Sequence, residues 1–522
     1  MFALAYRNSK KSSREIAEEL QVAFVLKATV RRDGQKVSLT GELTKAADET
    51  RIWSKTHTRD LADIFAVQAE LVQEIAGELK AVVSIEARQL LQHRPTDNPA
   101  AYDLFLKARA LGRFSLLDAR SNLSHEEMDS MGKVRVSLLT SAVILDPMFA
   151  SAWAELAHVQ SSGWNHAQDL LSAAARLAVA KHAIENAVAL APDAPDVLIS
   201  HGYYLSLTVE NYARAAAEFE RAALLQPNSP EPLIGLVQIQ RSQGKWSEAL
   251  ANARRAVALD PANADASLNL GLLLDAGRRY ADSGIEMRRA LALGALLKRS
   301  DLNWGLVRMP YYSTGSTVEM EKYLSVLKET GRPSGLFTFG RQHEKFAEGN
   351  LALGEDATPP GPSYAGDWTW FLHRAVMLAG KGRLPEAHAL LEHAPANLRS
   401  RLALDPTNWR MWCNLGCIEA VLGHAEEALR AVRRAVEMVP TEKDHWEGPQ
   451  VEENLAFVYA WTGDKTRAIE AYARLLQSPH VSPRMAANSV HVLRHALWFA
   501  PLRGDPRWEE LLNDPKNNAP LF

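Results

Sequence analysis

Cysteine is nearly absent from this chain, with two residues in 522, and no apolar run approaches the length of about 18 that a membrane-spanning helix needs. Disulfides are therefore not expected to frame the fold, and we expect a reducing compartment. Cys413 and Cys417 lie four residues apart, which predicts neighbours packed on one helix face. Near the start, basic residues follow a short apolar run, unlike a signal peptide. We expect a cytoplasmic location, or export if the true N terminus lies upstream.

Charge of one sign is not in excess either. The formal net charge is -3 and the isoelectric point is near 6.6, so we expect neither nucleic acid nor an anionic membrane as a partner. Hydrophobic residues make up 47% of the chain and charged residues 23%. This composition is sufficient for a large core and for more than one domain.

Catalytic motifs are also missing. The sequence has no H-R-D loop, no D-F-G, no phosphate-binding glycine loop and no G-x-S-x-G. Ser325 and Lys328 match S-x-x-K without its companion motifs. His491 and His495 have a spacing that can hold zinc, but Val492 stands where the catalytic zinc motif has glutamate. We therefore expect no enzymatic activity, no cofactor and no metal ion.

What the chain does contain is a repeated helix pair. Residues 230–261 predict two helices separated at Gly244, and the second ends at Asp260-Pro261 because a residue before proline is disfavoured in the α region. The closing prolines at 192, 227 and 261 are 35 and 34 residues apart. A helix pair that recurs about every 34 residues is the signature of a tetratricopeptide array. Between Pro147 and Pro192 the spacing is 45, which indicates an insertion around residues 160–173.

The first 92 residues follow a different pattern. Ser12 and Glu15 form a predicted capping box, and residues 22–30 are β-branched and apolar. Asp33-Gly34 predicts a hairpin turn before residues 37–43, which alternate between apolar and polar types. A third strand over 51–58 and a long amphipathic helix from Asp60 complete an α+β order.

The predicted fold is therefore mainly α: an α–α superhelix of tetratricopeptide type, preceded by a small α+β domain with about three antiparallel strands. We expect a partial α+β domain at 1–92, a linker at 93–100 and a first repeat block at 101–294. An irregular helical break with a loop should follow at 295–367, then a second repeat block at 368–482. C-terminal capping helices with a tail should complete the chain at 483–522.

Three runs in the first segment, SKKSSREIAEEL, VLKATVRRDGQKVSLTGELT and IWSKTHTRDLADIFAVQAELVQEIAGEL, resemble the second half of the TolB-amino-terminal-like (FlgO-like) domain. The linker from Arg94 to Arg109 and the ending from Ala500 to Leu512 are similar to those of bacterial multidomain signalling proteins with this domain and tetratricopeptide repeats. The resemblance implies a further strand and helix upstream, and often a serine/threonine kinase, class III nucleotide cyclase or winged-helix domain. This chain then resembles the C-terminal region of such a protein, with an unpaired sheet edge.

The repeat architecture implies a candidate binding groove. In tetratricopeptide proteins the first helix of each pair lines the concave surface, and the matching positions here are His158, Ile199, Tyr203, Ile234, Gln238, Leu268, Leu272, Arg410 and Cys413. Asn269 and Asn414 only partly reproduce the carboxylate-binding set of chaperone-type repeats. The mixed, partly apolar positions favour an amphipathic helix or an extended segment as the ligand.

We therefore expect a non-enzymatic scaffold that binds a protein or peptide partner on this face. The alternative is the regulatory or sensory region of a kinase, cyclase or winged-helix regulator whose effector domain is not in this chain. Two copies could also associate through the sheet edge.

Overall fold

The computed structural model describes residues 11–20, 22–33, 36–60, 64–79, 95–117, 125–164, 170–207, 211–293, 368–482 and 488–522. The break expected over 295–367, with Ser325 and Lys328, lies outside these residues, as does Gly34 of the expected hairpin turn. The chain divides into two compact units. Unit 1 is Met1–Pro232 with Val257–Asn263, and unit 2 is Leu233–Ala256 with Ala264–Phe522. Each unit contains its own hydrophobic core.

The first elements form a small α+β layer. Its elements are α1 (Ser13–Leu20), β1 (Phe24–Asp33), β2 (Lys36–Lys45), β3 (Thr50–Asp60) and α2 (Ile64–Glu78). The strands form an antiparallel sheet in the order β1-β2-β3, which confirms the predicted three-stranded arrangement. The capping box also forms, since the Glu15 amide donates to Ser12 Oγ at 3.1 Å and the Ser12 amide to Glu15 Oε2 at 2.6 Å.

A small hydrophobic cluster fixes α2 on the sheet. Leu39 of β2 and Leu71 of α2 are buried, and Trp53 and Ile75 pack against them. A Cβ at Gly41 would lie 2.7 Å from the Trp53 ring, so only glycine at this position lets the indole cross β2. The predicted alternation of β2 therefore corresponds to a face under α2 and an open face.

Helix pairs make up the rest of unit 1. They are α3 (Pro99–Leu117) with α4 (His125–Leu145), α5 (Ala150–Trp164) with α6 (Leu170–Leu190), and α7 (Pro195–Leu207) with α8 (Tyr212–Leu225). The insertion expected around residues 160–173 falls where α5 ends and α6 begins. Helix α6 accordingly runs for 21 residues, against 14 for α8.

The division between the units falls within one helix pair, α9 (Glu231–Ser242) and α10 (Trp246–Leu259). Unit 2 continues with α11 (Ala264–Ala276), α12 (Tyr280–Ala292), α13 (Trp368–Gly380), α14 (Leu384–Leu391), α15 (Ala394–Leu404), α16 (Trp409–Val421), α17 (Ala425–Met438), α18 (Gly448–Trp461), α19 (Lys465–Leu475), α20 (Val490–His495) and α21 (Pro506–Asn513).

One local motif explains how an Asp-Pro step ends one helix pair and begins the next. The indole N–H of Trp153 donates to the carbonyl oxygen of Pro147 at 2.9 Å, and Trp412 makes the same bond to Pro406 at 2.9 Å. In each case the tryptophan follows the proline by six residues. These two tryptophans therefore connect the start of a helix to the turn before it.

The C-terminal segment contributes to the core of unit 2. Trp498, Phe499 and Trp508 are at most 1% exposed. They form edge contacts with Phe457 and Tyr472, and Phe499 and Trp508 stack on each other. The two cysteines are buried in the same unit, as their spacing on one helix predicts. Within the described parts of the chain, no helix combines the length and apolar character needed to cross a bilayer.

Candidate partner-binding surface

Two predicted groove residues meet in unit 1. His158 of α5 and Tyr203 of α7 lie edge to face with ring centroids 4.8 Å apart, since the first helices of these consecutive pairs pack against each other. Tyr203 in turn contacts Phe219 of α8 at 5.0 Å. A Cβ at Gly202 would lie 2.8 Å from the Phe219 ring, so this glycine permits the close approach. Both groove residues are half-buried.

Charged side chains adjoin this aromatic pair. Glu155, one turn before His158 on α5, forms an ion pair with Arg135 of α4. Burial raises the pKa of Glu155, but the charges of Arg135 and His158 outweigh it and hold the pKa below its usual range. Burial lowers the pKa of His158, and Glu155 opposes that effect. Near neutral pH the surface therefore presents a carboxylate–guanidinium pair beside a neutral imidazole.

A second polar chain lies on α7 and α8. His201 Nδ1 is 3.1 Å from Glu218 Oε1, and Glu218 Oε2 accepts from Arg221 at 3.2 Å. Arg221 also pairs with Asp193 at the turn before α7. Burial lowers the pKa of His201 despite the nearby Glu218 carboxylate. These contacts tie the two helices together beside Tyr203.

The other predicted groove residues occupy different environments. Ile199 lies one turn before Tyr203 on α7 and is half-buried, as is Gln238 of α9. Ile234, Leu268 and Cys413 are 6%, 5% and 1% exposed, and Leu272 packs against the hydrophobic core of unit 2. Arg410 is exposed, stacks on Trp409 and donates to Glu447 Oε1 at 3.1 Å. The structure brings His158 and Tyr203 into contact, with Ile199 on the helix of Tyr203, and it places Leu268 and Leu272 in one hydrophobic cluster.

Sequence reasoning missed Glu155, Arg135, His201 and Glu218. Glu155 precedes His158 by three residues, and this helical spacing was a usable signal. Arg135 could not be found in that way, because it lies 20 residues from Glu155 and on another helix. His201 and Glu218 are likewise joined only by the packing of α7 on α8.

Metal-binding geometry is not found in the described parts of the chain: no group of three His, Cys, Asp or Glu side chains there could hold an ion. His491 and His495 lie on the short helix α20, and burial lowers the pKa of each. Cys417 Sγ lies 3.3 Å from Asn454 Oδ1 and is fully buried.

Comparison with known proteins matches one segment of the chain to a repeat family. The profile of the TPR-repeat family matches residues 238–275. A Rhizobium meliloti protein named "Putative adenylate cyclase 3" is 28% identical over 154 residues, which are 30% of this chain and 24% of that protein. The chain thus spans about a quarter of the length of this curated relative.

Three solved structures are also similar. PilW, a type IV pilus biogenesis factor, has a TM-score of 0.34 at 15% identity and covers 46% of this chain and 98% of its own. PilF of Pseudomonas aeruginosa has a TM-score of 0.32 at 16% identity, with coverages of 47% and 97%. YrrB, described as a TPR protein with an unusual peptide-binding site, has a TM-score of 0.24 at 16% identity, with coverages of 41% and 93%. The family match and the helix pairs together identify tetratricopeptide repeats in this chain.

Proposed function

We propose that this chain is a non-enzymatic tetratricopeptide scaffold that binds a protein or peptide partner on the concave face of its helix pairs. The observation that carries the proposal is the contact between His158 and Tyr203, two groove positions that are predicted from the repeat pattern and that meet as half-buried rings. Helices hold this surface in place before binding, so little ordering free energy is lost when a partner docks.

The side chains of the surface indicate which class of segment it binds. Ile199 and the Tyr203 ring offer apolar area, while Glu155 with Arg135 and His201 with Glu218 offer charges of both signs. An amphipathic helix or extended segment with an apolar side and mixed polar flanks fits this arrangement. We centre the binding surface on unit 1, because Leu268 and Cys413 of the predicted groove are buried in unit 2.

Affinity capture from a lysate of the source organism tests the proposal. The full chain is compared with His158→Ala/Tyr203→Ala and with the matched control Ile144→Ala/Leu224→Ala, which removes side chains that are 72% and 82% exposed on the second helices α4 and α8. We expect a partner that the wild type and the control retain and the first variant loses. A partner retained equally by all three proteins would refute the assignment of the binding surface.

The domain divisions and the location are further proposals. We propose that residues 1–92 form a partial TolB-amino-terminal-like domain, supported by the helix, three antiparallel strands and helix in that order. We propose the remaining divisions as given above, and a cytoplasmic location that cell fractionation would test. The alternative role in a kinase, cyclase or winged-helix regulator is not favoured by the cyclase-named relative, since the match covers 24% of that protein.

A further inference from the structure

The outer edge of β1 carries a surface that is separate from the helix pairs. Among the described strands, β1 pairs only with β2, in a ten-residue antiparallel register from Phe24↔Lys45 to Asp33↔Lys36. Its other edge presents backbone N–H and C=O groups that another extended segment can bind. Side chains of β1 divide into two rows, one on each face of the sheet.

The first row is apolar and exposed. Leu26 lies opposite Leu43, and Val30 lies opposite Leu39. Leu43 and Leu39 are 2% and 7% exposed, and Leu39 packs under α2, whereas Leu26 and Val30 are 44% and 63% exposed. Helix α2 packs on β2 and β3, and α1 contacts β1, but Leu26 and Val30 stay exposed, so this part of the apolar face of the sheet is not covered by either helix. A row of this kind is typical of an interaction site.

The second row is basic. Lys27 and Arg31 are exposed on the opposite face of β1, with Thr29 between them and Asp33 at the end of the row. Glu42 lies opposite Lys27, but its carboxylate also forms an ion pair with Arg51 at 3.5 Å, so Lys27 shares this carboxylate with another cation. The edge therefore presents an apolar row on one face and two cations, four residues apart, on the other.

These charges argue against a second copy as the occupant. If two β1 strands paired antiparallel with Lys27 at the centre, Lys27 would lie opposite Lys27 of the second copy. With Thr29 at the centre, Lys27 would lie opposite Arg31 of the second copy. A pair centred on Ala28 would set Lys27 diagonally beside both cations of the second copy. A pair centred on Val30 would place Lys27 opposite Asp33, but it would set Arg31 diagonally beside both cations of the second copy. Like charges in these positions destabilise a strand pair.

We propose that the β1 edge binds an extended acidic-apolar segment of another protein by strand addition. Opposite Arg31 to Leu26, an antiparallel ligand strand would run acidic, apolar, polar, apolar, acidic, apolar. Its backbone bonds to the edge, its acidic side chains pair with Arg31 and Lys27, and its apolar side chains extend the row of Leu26 and Val30.

A labelled, end-capped peptide of sequence Glu-Val-Thr-Val-Glu-Val is the probe, with Lys-Val-Thr-Val-Lys-Val as its charge-reversed counterpart. Fluorescence anisotropy with the full chain should show binding of the acidic peptide in preference to the basic one. Hydrogen exchange should show new protection within residues 24–33. We expect Lys27→Glu/Arg31→Glu to weaken acidic-peptide binding by about tenfold at low ionic strength, because two attractions become repulsions.

The control variant Lys381→Glu/Arg430→Glu reverses two exposed cations in unit 2 and should bind as the wild type does. His158→Ala/Tyr203→Ala should also bind normally, since this surface is independent of the helix pairs. Circular dichroism verifies that each variant is folded. Equal binding of both peptides, an unaffected Lys27→Glu/Arg31→Glu variant, or protection outside residues 24–33 would overturn the proposal. A concentration-dependent dimer with protected β1 amides would overturn it in favour of a second copy.

Discussion

His480 should make unit 2 sensitive to acid. The side chain is 1% exposed, and its Nδ1 lies 2.9 Å from the carbonyl oxygen of Ser478, so the Nδ1 hydrogen donates to that oxygen and Nε2 carries the lone pair. Nε2 is buried without a hydrogen-bond partner among the residues that the structure describes. Burial, with a further contribution from the Arg278 charge, lowers the pKa of His480 from 6.5 to about 4. Protonation would place a second cation in this interior.

The sign and size of the effect follow from linkage. Because the folded pKa is lower than the unfolded one, the unfolded state binds more protons between pH 4 and 6.5, and stability falls as the pH falls through that window. Each unit of pKa difference corresponds to about 1.36 kcal/mol. The loss attributable to His480 is therefore about 2 kcal/mol at pH 5 and about 3 kcal/mol at pH 4, and it levels off below that.

The two cysteines provide an assay that reports on unit 2 alone, since Cys413 and Cys417 are the only thiols of the chain and both are buried there. Urea unfolding is followed by thiol labelling with a dithiodipyridine, a reagent that works in acid, at pH 7, 5 and 4. With an m-value of about 3 kcal/mol per molar, the midpoint should fall by about 1 M at pH 4 from His480 alone.

The control is His480→Asn, whose amide can still donate to the Ser478 carbonyl but does not titrate. This variant starts at a lower stability because it leaves a small cavity. Between pH 7 and 4, however, it should lose about 3 kcal/mol less than the wild type. Parallel pH profiles for the two proteins would refute the reasoning.

Three further predictions follow from local contacts. Gly202→Ala should destabilise unit 1 by about 1–3 kcal/mol, because its Cβ would lie 2.8 Å from the Phe219 ring, and thermal unfolding by circular dichroism measures this. Asp464→Ala should cost about 1 kcal/mol, since its side chain caps α19 through the Arg467 amide at 3.1 Å; Asp464→Asn should restore most of that stability. Arg278→Gly should lower the urea midpoint of thiol labelling. The substitution removes the backbone strain of positive φ, but the loss of hydrogen bonds from a charged group is the larger effect. An unchanged or higher midpoint would contradict this.

The repeat pattern predicts the fold well because its signals are local. Helical spacing, the Asp-Pro steps and the turn at Gly244 all act within one helix pair, and each corresponds to a feature of the structure. The alternation of β2 likewise requires only neighbouring residues, and it correctly predicts which side chains lie under α2. Such signals specify elements and their buried faces.

Contacts between distant segments account for what the sequence could not predict. The pairing of Arg135 with Glu155 depends on how α4 packs against α5, which no spacing encodes. The groove positions pose the same difficulty, since the repeat pattern identifies Leu268 and Leu272 as first-helix positions but not what packs on them. In the structure they belong to the hydrophobic core of unit 2.

Arg278 is a further contact between distant segments, within unit 2. In four turns between paired helices, a glycine two residues before the second helix adopts positive φ, at positions 244, 382, 423 and 463. The turn between α11 and α12 has Arg278 in that place, with φ of 59°, a conformation that costs a side-chain-bearing residue about 1 kcal/mol. Its buried guanidinium donates to the carbonyl oxygens of Asn517 and Ala519, at 2.7 and 3.3 Å.

The neighbouring Gly277 carbonyl accepts from the Leu521 amide at 3.0 Å, and a Cβ at Gly277 would lie 2.8 Å from the Phe522 ring. The strained backbone of Arg278 is therefore offset by hydrogen bonds to a segment of the same chain 239 residues away. The turn between α11 and α12 thus differs in sequence from the four glycine turns, and the C-terminal segment of the same chain is bound to it. We look for a partner instead at the half-buried rings of α5 and α7 and at the basic edge of β1.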